Sequence, residues 1–297
     1  MSAHVRPGII AGVRIRLAGS QPLHSPALGQ MLAGHPGVVF DAGDMSFASP
    51  LDLAGITAWA ARLRHEGTRV WFVLPDHSDV CRYLVRMDLI EHLDQAGATV
   101  RGPAPAVRRA DRTDVLLELR RICGPADAER FAVDVYQLAQ RHTSDNSAAA
   151  GAKMVGELLD NAITHAASPV GVYAAAQVHQ RGGDLELAVA DAGIGIRSHL
   201  ARNPSFRNLS AAEALGAALR PGVTGTSERR GNGLPDLLGT ASGFGGQLLL
   251  RSDDGYAQVL AASSDRKFAP AGQVPGTWAW VHVRLPLQQR RMVSLPQ

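Results

Sequence analysis

Short apolar runs alternate along the chain with longer stretches in which apolar residues recur every three to four positions, a pattern that predicts strands followed by helices. Val13-Arg14-Ile15-Arg16-Leu17 alternates apolar and polar residues, as a half-buried strand does. Gly37 to Ala42 ("GVVFDA") is a continuous apolar run of buried-strand type. A helix is predicted over "SPLDLAGITAWAARLRHEG", with Ser49 as N-cap, Pro50 in the first turn and Gly67 as the stop. Val70 to Leu74 predicts another strand, Ser78 to Gln95 a second amphipathic helix closed by Gly97, and Ala98 to Val100 a final short strand. Strands alternating with helices favour an α/β layer fold.

The stretch from Arg101 to Arg112, "RGPAPAVRRADR", has prolines and arginines but no apolar period, and it marks a domain boundary. The expected division is an N-terminal domain over residues 1–105, a linker at 106–112 and a C-terminal domain over 113–297. Beyond the boundary, helical patterns cover Val115 to Ile122 and Ala126 to Arg141; a polar turn, "HTSDNS", leads to a long helix from about Ser147 to Ala167. Strands are predicted at Val170 to Val178, Leu185 to Ala190, Gln247 to Ser252 and Trp278 to Leu285, with a glycine-rich region before the last two. The class expected is α/β (α+β), and no internal repeat recurs at a fixed period.

Composition narrows the functional classes. At 297 residues the chain reaches the length at which single cores split, which favours two domains. With 45% hydrophobic and 19% charged residues it is globular in composition, not disordered. The formal charge of +3 is spread along the chain apart from short arginine pairs, too weak a signal for nucleic acid. Cys81 and Cys123 stand far apart without the spacing of a zinc site, and they suit a reducing compartment. Arg6, Arg14 and Arg16 interrupt the N-terminus, so it lacks the apolar stretch of a signal peptide, and no run is long enough to span a bilayer. The expectation is a cytoplasmic protein without membrane insertion.

Candidate chemistry lies in the second half. In the long helix, Lys153, Glu157, Asn161 and His165 stand four residues apart and form a polar stripe, with Met154, Val155, Leu158, Leu159, Ala162 and Ile163 on the opposite face. Downstream, "LELAVADAGIGI" runs a strand into Asp191, Gly193 and Gly195, a carboxylate at a strand end followed by glycines that permit close backbone approach. Gly231, Gly233 and Leu234 then open a helical segment, where free N–H groups attract phosphate. Gly276 and Thr277 begin the closing strand. Singly, these are the wet face of a helix, an ordinary turn, a common glycine pair and a strand start; in this order they form one specific set.

That ordered set resembles the GHKL ATPases (gyrase, heat-shock chaperone, histidine kinase, MutL) over roughly Asp111 to Leu287. The resemblance implies a sandwich with helices on one face of a mixed sheet, binding ATP with Mg2+. It implies that Asn161 coordinates the magnesium and that Glu157 orients or deprotonates the attacking group. Asp191 would accept from the adenine amino group with help from Thr277, Gly193 and Gly195 would leave room for the nucleotide, and Gly231 and Gly233, with Leu234, would hold phosphate. Arg197 to Arg230 would form a mobile lid in which Arg229 and Arg230 either touch phosphate or stay solvated, and His165 either sits near the triphosphate or caps its helix.

No dimerising hairpin with a phosphoacceptor histidine precedes this region, and His142 lacks that context, so the layout looks most like the anti-sigma-factor serine kinases. Val13 to Val100 in turn resembles the STAS domain of anti-sigma-factor antagonists, with Ser49 at the position that is phosphorylated there. The usual Asp-Ser-Ser-Gly is replaced by Ala48-Ser49-Pro50-Leu51, and Ser49 fits the role of a plain N-cap better than that of a phosphosite. The resemblances together imply partner-switching signalling: a serine kinase or slow ATPase acting on sigma or anti-sigma protein partners, with a homodimer allowed. The alternatives are an ATP-dependent protein-binding module without turnover, and a histidine-kinase-like protein lacking its phosphoacceptor domain.

Overall fold

The computed structural model describes residues 12–30, 32, 34–102, 105, 114–179, 183–225, 233–260 and 265–286. The apolar runs of the first half pair as a parallel sheet. It contains β1 (Val13–Arg16), β3 (Gly37–Asp41), β5 (Arg69–Val73) and β6 (Thr99–Arg101) in the order β1-β3-β5-β6, beside a small parallel pair, β2 (Gly19–Ser20) and β4 (Met45–Phe47). Helix α1 (Pro50–His65) starts where expected, with Ser49 and Asp52 forming a reciprocal capping box.

The single helix expected from Ser78 to Gln95 is instead two, α2 (Ser78–Arg86) and α3 (Leu89–Gln95). Asp88 adopts a left-handed conformation between them, φ 60°, and the Met87 carbonyl turns away to accept from Leu119 N–H in the second half of the chain. A long-range partner for one carbonyl therefore overrides a local helical pattern.

The second half contains β7 (Leu116–Ile122), α4 (Pro125–Gln140), α5 (Asp145–His165), β8 (Val172–His179), β9 (Asp184–Asp191), α6 (Gly195–Leu200), α7 (Ala211–Ala218), α8 (Gly233–Gly243), β10 (Gln247–Leu260) and β11 (Asp265–Arg284). Two expectations are corrected here. The segment Val115 to Ile122 is a strand, because a short apolar run satisfies either period and pairing with β8 decides between them. The sheet is also not mixed: in the order β10-β11-β9-β8-β7 every neighbouring pair is antiparallel. An even number of helices, α4 and α5, returns the chain from β7 to β8 in the opposite direction, and the other pairs are joined as hairpins or close antiparallel across the sheet.

Both faces of this sheet are buried. Val172, Ala174, Val178, Leu187, Val189 and Val281 face α4, α5 and α8, where they join Phe131, Met154, Leu158 and Leu237 in one core. The alternate positions Tyr173, Ala175, Ala188, Ala190, Trp278 and Trp280 belong to a second core with the residues of α1 and the first sheet. Every residue of α1 from Pro50 to Ala61 is buried, as expected of a helix that is apolar on all sides with a sheet above and below it. Close approach is essential: a Cβ on Gly55 would stand 2.7 Å from Leu23 Cδ1 and 3.1 Å from the Trp278 ring. The linker at 106–112 lies outside the described residues; the chain on either side of it builds a separate sheet, and the sheets share one core.

Arg251 ties the two halves together. It is fully buried on β10, its guanidinium 5.6 Å from the Trp278 ring centroid, and it donates to the carbonyls of Leu23, Leu28 and Gly272. Burial lowers its pKa to about 10, so it remains a cation at neutral pH. Arg251→Ala would leave these buried acceptors without a donor, and the expected loss is about 3 kcal/mol of unfolding free energy, measured as a lower urea midpoint. Arg251→Lys should recover little, because an ammonium cannot reproduce the planar fork.

Candidate functional site

The polar stripe of α5 forms because its apolar residues are drawn to the sheet. Met154, Val155, Leu158, Leu159 and Ala162 are buried, which leaves Glu157, Asn161 and His165 half-exposed along the other edge and Lys153 in solvent. The helix begins at Asp145, with Ser144 as N-cap accepting from Ser147 N–H, slightly earlier than the pattern suggested.

One cleft, with about 830 Å³ of open space, is lined by Asn161 and His165 from α5, Asp191 from the end of β9, Gly195 and His199 from α6, Gly233 and Leu234 from the start of α8, and Thr277 from β11. Residues separated by more than a hundred positions thus share one concave surface. Glu157 stands at its margin: a Cβ on Gly233 would lie 2.9 Å from Glu157 Oε2 and 3.0 Å from Asn161 Nδ2. A side chain at that position would displace these two side-chain ends, so the glycine eases the approach of α8 to that edge of α5. Asn161 Nδ2 is buried without a hydrogen-bond partner among the described residues, so an amide with unused capacity faces this junction.

Asp191 is 2% exposed and accepts from the backbone N–H of Gly193 at 2.8 Å and from that of Thr277. Burial drives its pKa up to about 7, and Asp253 adds repulsion in the same direction against the lowering effect of the N–H donors. The Thr277 hydroxyl lies 3.2 Å from Ser252 Oγ, which accepts from Ile196 N–H and donates to the Gly276 carbonyl. Ser252 and Asp253 therefore brace the site from a bulged stretch of β10, and nothing local in the sequence distinguishes them from any polar pair in a strand.

The glycines also serve the packing of the site. Gly193 is not on the cleft wall; a Cβ there would stand 1.8 Å from the Ala166 carbonyl, so it lets the turn lie against the end of α5, where Ile194 N–H donates to the same carbonyl. Gly195 combines φ 76° with contact to the Asp253 carboxylate, which a Cβ would approach to 2.7 Å. Gly231, Arg229 and Arg230 lie outside the described residues.

Within the segment expected as a mobile lid, Arg197 to Arg230, the described residues 197–225 contain the rest of α6, a short helical turn at Pro204–Phe206, and α7 with a Ser210–Glu213 capping box. Helix α7 packs on the β10–β11 hairpin, where a Cβ on Gly255 would come within 2.8 Å of Ala211. Its alanine-rich sequence reflects close packing. His199, also not foreseen, sits with its ring 4.6 Å from that of His165, and burial first, then His165 and Arg202, lower its pKa to about 4.

Ser49 lies elsewhere and is wholly buried. Its hydroxyl donates to Asp52 Oδ2 at 2.8 Å and lies 2.9 Å from His24 Nε2, whose ring meets Trp280 edge-on. In this arrangement the hydroxyl is closed to a phosphoryl donor, and its capping role accounts for the residue.

No known family model, curated protein or solved structure matches this chain. The chemistry of the cleft must therefore carry the reading by itself. It offers a buried carboxylate acceptor, a threonine hydroxyl, an unpartnered amide and the N-terminal turn of a helix, inside walls supplied mainly by Leu158, Val189, Ile196, Leu200, Leu234 and Leu250. Apolar walls with a few convergent polar groups are what a small-molecule site requires. Among the described residues, no group of three or more His, Cys, Asp or Glu side chains is placed to hold a metal ion, and no helix is long and apolar enough to cross a membrane.

The raised pKa of Asp191 has a defined consequence for stability. Between about pH 4 and 7 the unfolded chain has lost the Asp191 proton while the folded chain keeps it, so rising pH works against folding across that window. Relative to Asp191→Asn, which removes the titration, the native protein should lose unfolding free energy progressively from pH 4 to 7 and show no further difference above it. Paired urea titrations at each pH measure this.

Proposed function

We propose that the chain is an ATP- and magnesium-binding regulatory protein, a serine-kinase-like or slow ATPase component of partner-switching signalling. The observation that carries this reading is the convergence of Asn161, Asp191, Gly195, Gly233, Leu234 and Thr277 on one cleft, with Glu157 at its margin.

The ionised Asp191 accepts from the adenine amino group, and guanine, with a carbonyl there, lacks that donor. Thr277 adds a hydroxyl beside it. The N–H groups at the start of α8 face phosphate, which the helix dipole favours. Asn161 fits the ligand set of a magnesium ion brought in by the phosphates, since such an ion takes few protein ligands and keeps waters and phosphate oxygens. Glu157 orients or deprotonates the attacking water or hydroxyl. With Ser49 sealed in the core, the phosphoryl acceptor is water or a hydroxyl other than that of Ser49.

Calorimetric titration of the full chain with ATP and magnesium should give saturable binding, with GTP at least about tenfold weaker, as loss of a buried hydrogen bond implies. Asn161→Ala should weaken the magnesium-dependent part by a similar factor. Absence of binding by ATP and ADP alike would overturn the assignment. Glu157→Gln separates turnover from binding: if the protein transfers or hydrolyses phosphate, the variant should bind ATP normally and lose turnover by roughly a hundredfold or more. An unchanged biological output in Glu157→Gln would instead favour the module in which ATP only sets a binding conformation.

A further inference from the structure

A second crevice opens on the opposite side of the sheet from α5, in the seam between the two halves of the chain. Its walls come from the C-terminal ends of α1 and α3 and from β7 and β8, and its polar lining is Arg64, His65, His92, Gln95, Arg121 and Tyr173, with no carboxylate among the lining residues. Four basic side chains from three separate elements meet there.

The ordinary reason for basic residues at helix ends is to satisfy the last carbonyls, and here that task is already done. In α1, Thr68 N–H donates to the Leu63 carbonyl and Gly67 N–H to that of Arg64; in α3, Ala98 N–H donates to Leu93 and Gly97 N–H to Asp94. Both are Schellman motifs with left-handed glycines, φ 83° at Gly67 and φ 80° at Gly97. The basic side chains at these two helix ends are therefore not needed to satisfy the last carbonyls. Arg64 uses Nη1 on the Thr68 carbonyl, while its Nε is buried with no partner among the described residues. Arg121 is anchored through Nε to the Val170 carbonyl at 2.9 Å, a contact that fixes the plane of its guanidinium. His92 is held by Leu119 O at 2.8 Å and by the edge of the Tyr173 ring. Glu66 and Glu91, on the same two helices, pair with Arg62 and Gln95.

We infer that this crevice is an anion site for a phosphate group, held by Arg64 and Arg121 with His65, His92 and Tyr173 around it. Anchored guanidiniums with spare donors suit a tetrahedral dianion, since each can offer two parallel N–H groups to adjacent oxygens. The phosphate could come from free inorganic phosphate or from a phosphorylated side chain of a partner, and the chemistry recognised is the same. The site is independent of the nucleotide cleft and stands whether or not that cleft takes ATP. Its position matters because Ser168, adjacent to the crevice residues Pro169 and Val170, lies 3.4 Å from Ala192 N, next to Asp191.

The test is calorimetric titration of the full chain, without nucleotide, with inorganic phosphate and separately with a phosphoserine peptide and its unphosphorylated form. The expected result is phosphate-dependent binding that weakens at least about tenfold in Arg121→Gln and in Arg64→Gln, and that persists in Asn161→Ala. Tighter binding of the phosphopeptide than of free phosphate would identify a modified partner as the source, and equal or weaker binding would identify the free ion. The inference is overturned if neither probe binds, if both glutamine variants bind as the native chain does, or if Asn161→Ala abolishes binding, which would place the phosphate in the nucleotide cleft. Matched thermal denaturation of the glutamine variants separates loss of the site from loss of the fold.

Discussion

The contact on which the rest of the molecule depends is the packing of α1 against the five-stranded sheet. Ala175, Ala188, Ala190 and Ala192 keep that face shallow, and Gly55 lets the helix backbone come within reach of Trp278. Small residues on both surfaces exclude water from a large apolar area, and the two tryptophans at Trp59 and Trp278, with ring centroids 5.7 Å apart, fill the remaining depth. Because Asp191, at the end of β9, lies beside Thr277 where β11 begins to pair with that strand, whatever holds the back of the sheet also holds the cleft at its front. Arg62 makes the link direct, donating from α1 to the Ala192 carbonyl at 3.0 Å, beside the carboxylate that defines the site.

Hydrophobic burial alone does not choose one docking orientation, and the seam contains polar groups that do. Arg251 reaches three carbonyls across it; Ser49, Asp52 and His24 form a closed buried set; Tyr83 donates to Gln177, which donates in turn to Glu186. Arg251 and Tyr83 lose their partners across the seam if the halves slide by one residue, and an unpaired buried group is expensive. The same seam burial lowers the His24 pKa to about 4 and raises that of Asp52 to about 6, so at neutral pH the histidine stays neutral beside the serine hydroxyl. A docked module with its N-cap serine enclosed is a structural part of this chain.

Around the cleft, glycine serves packing. Gly193 permits contact with the Ala166 carbonyl, Gly276 with Asp191, and Gly233 with Glu157 and Asn161. Each brings a backbone turn against a polar group that belongs to the site, so the residues that assemble the cleft and the residues that shape it are the same. The buried carboxylate of Asp191 is held near neutral pKa by this enclosure, a poise typical of groups that meet ligands.

Local signals were sufficient for much of this. The caps at Ser49 and Pro50, the stops at Gly67 and Gly97, the two-faced pattern of α5 and the strand entering Asp191 all act within a turn or two of backbone, and they formed as the residues dictate. The set Asn161, Asp191, Gly233 and Thr277 was likewise legible, because order along the chain was enough to suggest it. Tertiary structure decided what depends on distant partners. It made Val115 to Ile122 a strand by pairing it with β8, broke the helix at Met87 through Leu119, turned every neighbouring pair of the five-stranded sheet antiparallel, and covered the second face of that sheet with α1. It also brought in Ser252, Asp253 and His199, residues whose identity carries no signal until a fold places them. Propensity and capping are settled by neighbours in sequence, whereas pairing, burial and the company a side chain keeps are settled by residues far apart along the chain.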